Sequence, residues 1–201
     1  IPPQNVTIVV GTGTHVATTA QWKLAALGRD IAECCRIVDH DCSSADLRSI
    51  GPVDGIEVKV NSTFLGADFR IATGLAEPHF MAGVSGGAKA VCPGLINLET
   101  TRLFHSAPWM DNPNATNLVL EDNPCYRFPL AVARRVGVHF SVNCTINQGG
   151  RLTGVFAGDI EQAHSRAAGA VRSWSRIPCP HEYDIVVTHG GKVAVNHYQT
   201  A

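Results

Sequence analysis

Runs of β-branched residues that end at a glycine recur along the chain, and they constrain its fold more than any other feature. One such run, NVTIVVG, occupies residues 5–11, and another, DFRIATG, occupies residues 68–74. A further run, EYDIVVTHGG at residues 182–191, also ends in glycines. Short β-branched runs bounded by turn residues are typical of buried strands. The chain is therefore expected to build a sheet whose strands end at glycine-rich turns.

Helical patterns lie between these strands. Thr18 and Gln21 form a capping-box pattern before WKLAAL, and Gly28 stands where a helix would end. Further helices are predicted at residues 30–35, 97–107, 126–137 and 160–174, the last capped by Asp159, and further strands at residues 36–41, 56–60, 138–146 and 152–158. This alternation predicts an α/β fold in which helices flank a mostly parallel, Rossmann-like sheet. Ligands bind beyond the carboxyl ends of the strands in such sheets.

The composition argues against several classes of partner. The formal net charge of -1 and the sequence pI of about 6.8 give no basic field for nucleic acid. No apolar run approaches the roughly 18 residues of a membrane helix, and the first residues lack the pattern of a signal peptide. Seven cysteines without a CxxC pattern favour reduced thiols. A cytoplasmic protein without nucleic-acid or membrane partners is expected.

The segment EPHFMAGVSGGAKAV, residues 77–91, is the most unusual in the chain. It resembles a phosphate-binding loop, but Ala88 and Ala90 replace the glycine and the hydroxyl residue that the loop requires. Its glycines allow the backbone to approach another group closely. Lys89 has no acidic neighbour in sequence, and a lysine in a poorly hydrated pocket becomes a nucleophilic amine. The alternative is a lysine whose ammonium group reaches solvent.

Three of the nine histidines are candidates for chemistry. His15 and His79 each follow a predicted strand, where a neutral imidazole can take up or release a proton near pH 7. His105 lies on a predicted helix and could bind a metal, but the remaining ligands would have to come from outside the protein. His139, His164 and His181 are interpreted as structural.

These segments, taken together, resemble the nickel-dependent lactate racemase family. The similar motifs are GTGTH (11–15), EPHFMAGVSGGAKAVCPGL (77–95), LETTRLFH (98–105), GVFAGD (154–159) and the DIVVT and YQ segments between residues 184 and 199. The resemblance covers nearly the whole chain. It implies that the chain is most of the N-terminal catalytic and cofactor-binding domain, residues 1–201, of a larger two-domain protein. The family's upstream arginine segment, which would hold the substrate carboxylate, is expected to precede Ile1, and its C-terminal domain is expected to lie beyond Ala201.

The resemblance also implies roles for individual residues. His15 and His79 would be the catalytic acid/base pair, and Lys89 would carry a nickel-pincer nucleotide, a pyridinium thioamide/thiocarboxylate mononucleotide, through a covalent bond. His105 would bind the nickel, while Tyr198 and Gln199 would contact the cofactor. The glycines beside Lys89 would make room for the nucleotide. Proteins that synthesise and insert the cofactor are the implied partners, and an oligomer is possible.

The implied reaction is racemisation or epimerisation of a small 2-hydroxy acid such as lactate. Its α C–H is too weak an acid for a simple base, so hydrogen would leave as hydride to the cofactor while one histidine takes the hydroxyl proton. The second histidine would act in the mirror role, and each should contribute roughly 10² to 10⁴ in rate. Two alternatives remain open at this point. The chain could be a catalytically inert binding or assembly domain, or a zinc hydrolase that uses His40, Cys42 and another histidine.

Overall fold

Helices and strands alternate along most of the chain in the computed structural model, which describes residues 1–187. The helices are α1 Ala20–Leu27, α2 Arg29–Cys34, α3 Ser62–Leu65, α4 Leu98–Phe104, α5 Ala107–Met110, α6 Pro124–Val136 and α7 Ile160–Ser175. The strands are β1 Thr7–Val10, β2 Arg36–Asp39, β3 Leu47–Val53, β4 Ile56–Asn61, β5 Ile71–Leu75, β6 Pro78–His79, β7 Gly83–Val84, β8 Phe140–Ile146 and β9 Leu152–Gly158. Short 3-10 turns cover Pro3–Asn5 and Gly87–Ala90. The predicted α/β class is confirmed.

The strand pairing is more mixed than the mostly parallel sheet that the sequence suggested. Strand β1 pairs in parallel with β2, and β5 pairs in parallel with β8. Strand β9 then pairs antiparallel with β8, while β3–β4 and β6–β7 form separate antiparallel pairs. The antiparallel pairs join strands that are consecutive in the chain and separated by short turns. A parallel pair needs a longer crossover connection, and helices supply it between β1 and β2.

Local signals explain most helix boundaries. The Thr19 side chain accepts a hydrogen bond from the Trp22 N–H and caps α1, so the prediction that Thr18 is the cap was wrong by one residue. Asp159 caps α7 by accepting hydrogen bonds from the N–H groups of Glu161 and Gln162. Gly137 ends α6 with φ of 72° and ψ of 58°, the left-handed conformation that favours glycine.

The structure differs from the prediction in several strands, and the two-residue strands β6 and β7 were not predicted. Strand β3 was not predicted, because Gly51 and Pro52 interrupt its apolar pattern and residues 49–52 carry a register shift against β4. The strand predicted at residues 182–191 is not formed over residues 182–187, and its remainder lies outside the described residues.

Two groups of buried side chains hold these elements together. The larger group lies between α6, the β3–β4 pair and residues 81–96, and it includes Phe104 and Phe128. The smaller group joins Ala76 and Val84 to α7 and Leu120. The segment around Lys89 contributes Ala88 to the larger group and follows Val84 of the smaller one. The turn that carries Lys89 is therefore anchored in the interior.

Two properties bear on the environment of the chain. All seven cysteines, which all lie within the described residues, are free thiols. Within residues 1–187, no helix combines the length and the apolar character needed to cross a bilayer.

Candidate functional site

Lys89 lies on the 3-10 turn Gly87–Ala90, partly buried. Within residues 1–187 its amino group has no hydrogen-bond or ion-pair partner, and Nζ lies 6.0 Å from the centre of the Phe104 ring. Burial lowers the pKa of Lys89 below its ordinary value, since a poorly hydrated ammonium group is disfavoured. A larger share of this amine is therefore neutral near pH 8 than for a solvated lysine, and the neutral amine is the nucleophile.

His105 ends α4, and its ring orientation is fixed by the backbone one turn earlier. Nδ1 lies 2.8 Å from the Thr101 carbonyl oxygen. A carbonyl only accepts, so Nδ1 carries the proton and the Nε2 lone pair is available. Metal-binding histidines commonly donate their other N–H to a carbonyl in this way. The Phe104 ring packs edge-on against His105, with ring centres 4.9 Å apart, so the same aromatic side chain lies near both His105 and Lys89.

His79 is the last residue of β6 and is partly buried. Its Nδ1 accepts hydrogen bonds from the N–H groups of Met81, at 3.3 Å, and Ala82, at 3.2 Å. The proton of the neutral ring therefore lies on Nε2. Burial, together with the positive charges of Lys89 and His105, lowers the pKa of His79 to about 3. His79, Lys89 and His105 thus share one electrostatic environment, in which His79 is neutral at pH 7.

His15 lies on the loop after β1, and its side chain is exposed. The loop packs against the chain that follows Lys89: the Gly13 N–H donates to the Gly94 carbonyl at 3.1 Å. A Cβ atom at Gly11 would lie 3.2 Å from the Ala90 carbonyl oxygen. In the described part of the chain the His15 ring makes no hydrogen bond. The structure therefore brings three of the predicted residues together and places the fourth on an adjacent loop.

The glycines of the 77–91 segment do not serve the purpose that the sequence suggested. A Cβ atom at Gly83 would lie 2.1 Å from the Val119 carbonyl oxygen. At Gly86 it would lie 2.9 Å from Oδ1 of Asn143, and at Gly87 it would lie 2.6 Å from the His164 ring. The chain's own atoms occupy these positions. The expectation that these glycines make room for a nucleotide was wrong, because they allow close packing of the protein against itself.

Four residues of this region were not predicted from the sequence to take part in the site, or were interpreted as structural only. Thr101 orients His105, Phe104 lies near both His105 and Lys89, and Asn143 and His164 contact the Ser85–Gly87 segment. The spacing of four residues between Thr101 and His105, one helical turn, was the only local signal. The contacts of Asn143 and His164 span 56 and 79 residues, so no local pattern could indicate them.

The remaining predicted residues are the cofactor contacts near the end of the chain and the residues of the alternative zinc site. Tyr198 and Gln199 lie outside the described residues. His40 is buried and its Nε2 donates to the Ile96 carbonyl at 2.9 Å. Over residues 1–187, no group of three or more histidine, cysteine, aspartate or glutamate side chains is placed to hold a metal ion. A zinc site that uses His40 and Cys42 therefore has no support in this region, and a metal at His105 would need ligands from a bound molecule.

The sequence is similar to proteins of known activity. Residues 1–117 match the family described as the lactate racemase N-terminal domain. The chain is 33% identical over 189 residues to a lactate racemase of Thermoanaerobacterium thermosaccharolyticum, which covers 93% of this chain and 44% of that protein. It is 31% identical over 193 residues to a lactate racemase of Lactiplantibacillus plantarum, with 94% and 45% covered. The chain thus spans less than half the length of the curated relatives it matches.

Solved structures show the same relationship. The structure of the lactate racemase apoprotein from Thermoanaerobacterium thermosaccharolyticum aligns with a TM-score of 0.80 at 33% identity. The alignment covers 83% of this chain and 40% of that one. A crystal structure of a protein from Thermotoga maritima aligns with a TM-score of 0.66 at 19% identity and shares the fold. It covers 84% of this chain and 46% of that one, so both solved chains are longer than this one.

Proposed function

Because the chain belongs to the lactate racemase N-terminal domain family, we propose that it is the cofactor-binding and catalytic part of a racemase or epimerase. The substrate is a small 2-hydroxy acid such as lactate. The observation that supports this most strongly is the grouping of His79, Lys89 and His105, in which an unpaired amine, a neutral imidazole and a free imidazole lone pair share one environment. Residues 1–201 then make up most of the N-terminal domain of a longer enzyme.

The residues present fit a covalently attached nickel-pincer nucleotide. Lys89 offers a weakly solvated amine without an acidic partner in the described region, which suits acylation by a carboxyl or thiocarboxyl group. His105 offers Nε2 to nickel, and imidazole is a suitable ligand for that metal. The bound group would supply the hydride acceptor, and its sulfur and carbon atoms would supply the remaining metal ligands. The partners of the chain would include the proteins that make and insert this group.

His79 and His15 are proposed as the acid/base pair for the substrate hydroxyl. At rest His79 holds its proton on Nε2 and donates a hydrogen bond to an oxygen of the substrate. Its pKa is lowered partly by the charge of Lys89. Acylation of Lys89 would remove that one contribution to the lowered pKa of His79.

The inert binding domain is the second candidate. The observation in its favour is that, within residues 1–187, the exposed His15 ring makes no hydrogen bond or ring contact with another proposed site residue. In that case the chain could bind the cofactor without turning over substrate. Racemisation of a single lactate enantiomer by the 201-residue chain, lost in His79→Asn, would exclude this candidate. A loaded chain without racemisation would favour it.

The proposed function is tested by producing the chain together with the enzymes that make the nucleotide. Peptide mass analysis should find an added mass on Lys89, and metal analysis should find about one nickel per chain. Lys89→Ala should lose the added mass completely, whereas Lys59→Ala, which changes an exposed lysine of β4, should keep it. His105→Ala should lose nickel and keep the mass on Lys89. An unmodified Lys89 and no nickel in the wild-type chain would contradict the proposal.

A further inference from the structure

His164 is a buried histidine of α7 that the proposed reaction does not use. Its side chain is 2% exposed and its Nε2 lies 2.8 Å from the carbonyl oxygen of Ser85. Because that carbonyl can only accept, Nε2 carries the proton. The ring also stacks on Tyr126 of α6, with ring centres 5.6 Å apart and 22° between the planes. His164 thus links α6 and α7 to the segment that precedes Lys89.

The same segment is held from a second side by Asn143 of β8. The Gly87 N–H donates to Oδ1 of Asn143 at 2.7 Å, in the buried interior. Gly87 itself lies against the His164 ring so closely that a Cβ atom would come within 2.6 Å of it. The Lys89 N–H then donates to the Gly86 carbonyl at 3.1 Å and begins the turn. The backbone that carries Lys89 is therefore fixed by two side chains from distant parts of the sequence.

This arrangement is costly for a purely structural contact. Nδ1 of His164 and Nδ2 of Asn143 are both buried, and neither has a hydrogen-bond partner in the described region. Buried polar atoms without partners destabilise a fold, and apolar side chains of similar size would avoid that cost. Burial lowers the pKa of His164, and the charge of the Lys89 ammonium group acts in the same direction. Polar side chains at these positions are better explained by what they hold in place.

We propose that His164 is a positioning residue for the modification of Lys89: its hydrogen bond to the Ser85 carbonyl and its contact with Gly87 set the turn that carries the amine. The inference rests on the proposed function, because it concerns the attachment of the cofactor at Lys89. His164 touches neither the amine nor the substrate in this role. It acts through the backbone of residues 85–87, and Asn143 acts on the same segment from the other side.

The test compares three substitutions in the 201-residue chain. In His164→Gln the amide nitrogen can occupy the place of Nε2 and donate to Ser85, whereas the side chain of His164→Asn is too short. His164→Leu removes the donor and keeps a similar volume. Hydrogen–deuterium exchange of residues 85–91 should be about tenfold faster in His164→Leu and His164→Asn than in the wild-type chain, and within about threefold of it in His164→Gln. Exchange in β1 and β2 should not change, which reports an intact fold elsewhere.

A second measurement connects the exchange to function. After production with the nucleotide-making enzymes, the fraction of Lys89 that carries added mass should fall at least about tenfold in His164→Asn and recover in His164→Gln. Equal behaviour of the glutamine and asparagine variants in both measurements would overturn the proposal, even if the leucine variant does not fold. If the wild-type chain itself carries no added mass, the proposed function fails, and the exchange comparison alone still decides whether His164 holds the turn.

Discussion

The turn that carries Lys89 and the loop that carries His15 are built in different ways. The Lys89 turn lies between two buried groups of side chains and is held by hydrogen bonds to buried Asn143 and His164. The His15 loop lies at the surface and is held by polar contacts with the end of β2. There, Asp39 accepts hydrogen bonds from Thr18 and pairs with Lys23, while the Thr12 hydroxyl donates to the His40 carbonyl.

The buried turn and the surface loop would therefore have different roles within the proposed site. The proposed attachment at Lys89 and the proposed metal ligand His105 would be preorganised by the interior, since Lys89, His79 and His105 have fixed surroundings. The second acid/base group is carried by a loop whose polar anchors can tolerate small movements. Precise placement is most valuable for the group that must form a bond. Substitutions in each region test whether the two regions differ in this way.

The largest effect is expected from Gly87→Ala in the buried turn. The new Cβ atom would overlap the His164 ring, and the φ of 54° is unfavourable for alanine. We expect a loss of about 3–5 kcal/mol in the free energy of unfolding, from overpacking together with backbone strain. Urea unfolding would measure it. Gly150→Ala is the matched control, because its φ is 72° and nothing lies within 4 Å of the new atom. It should cost only about 1 kcal/mol, and equal losses would show that Gly87 is not tightly packed.

The next largest effect is expected in the pH dependence of the free energy of unfolding, to which His79 contributes. Its folded-state pKa is lowered to about 3, whereas the unfolded chain has a value near 6.5. Between these values the unfolded chain holds a proton that the folded chain does not. The stabilisation from neutral His79 is therefore present above pH 6.5 and is lost as pH falls toward 3. At pH 5 the loss should be about 2 kcal/mol.

His79→Asn should remove this pH dependence while it keeps an acceptor for the Met81 and Ala82 N–H groups. Urea unfolding at pH 7.5 and pH 5 would then show a difference about 2 kcal/mol smaller in the variant than in the wild-type chain. His181→Asn, which changes an exposed histidine, is the control and should behave as wild type. The same pH difference in wild type and in His79→Asn would contradict the buried environment of His79.

The smallest effect is expected in the His15 loop. Asp39→Asn keeps the shape of the side chain but weakens its contacts with Thr18 and Lys23. The expected loss is about 1 kcal/mol in the free energy of unfolding, together with faster hydrogen–deuterium exchange in residues 11–18. Exchange in residues 85–91 should not change. Asp68→Asn, an exposed aspartate without a hydrogen-bonded partner in the described structure, is the control. Faster exchange in both regions would show that they are not independent.

The sequence predicted the elements of this protein better than their pairing. Local signals located α6, α7 and most strands within a few residues, because periodicity and capping depend on neighbours in sequence. The order of strands did not follow from them. Pairing depends on contacts between distant segments, such as Ile71 with Phe140. The β-branched run at residues 184–188 shows the limit of a local signal, since residues 184–187 form no strand in the described structure.

In the candidate site, too, local sequence signals identified residues but did not predict contacts between distant segments. Family motifs brought attention to His79, Lys89 and His105, and the structure places these three in one environment. Motifs did not show how the glycines of this segment are used. Gly86 and Gly87 match a loop that approaches a ligand, yet Asn143 and His164 fill the space beside them. A glycine pattern reports that something approaches the backbone closely, but it does not distinguish a ligand from the protein's own side chains.

The proposed attachment at Lys89 requires a poorly hydrated, unpaired amine, and the pKa of Lys89 reports that state. Competitive labelling of the lysine amines from pH 7 to pH 11, followed by peptide mass analysis, gives the pKa of Lys89 in the unloaded chain. The account predicts a pKa for Lys89 below the ordinary lysine value of about 10.4, because the amine is poorly hydrated and unpaired. A pKa at or above that value would mean that the amine is solvated or paired with an acid, and would contradict the account.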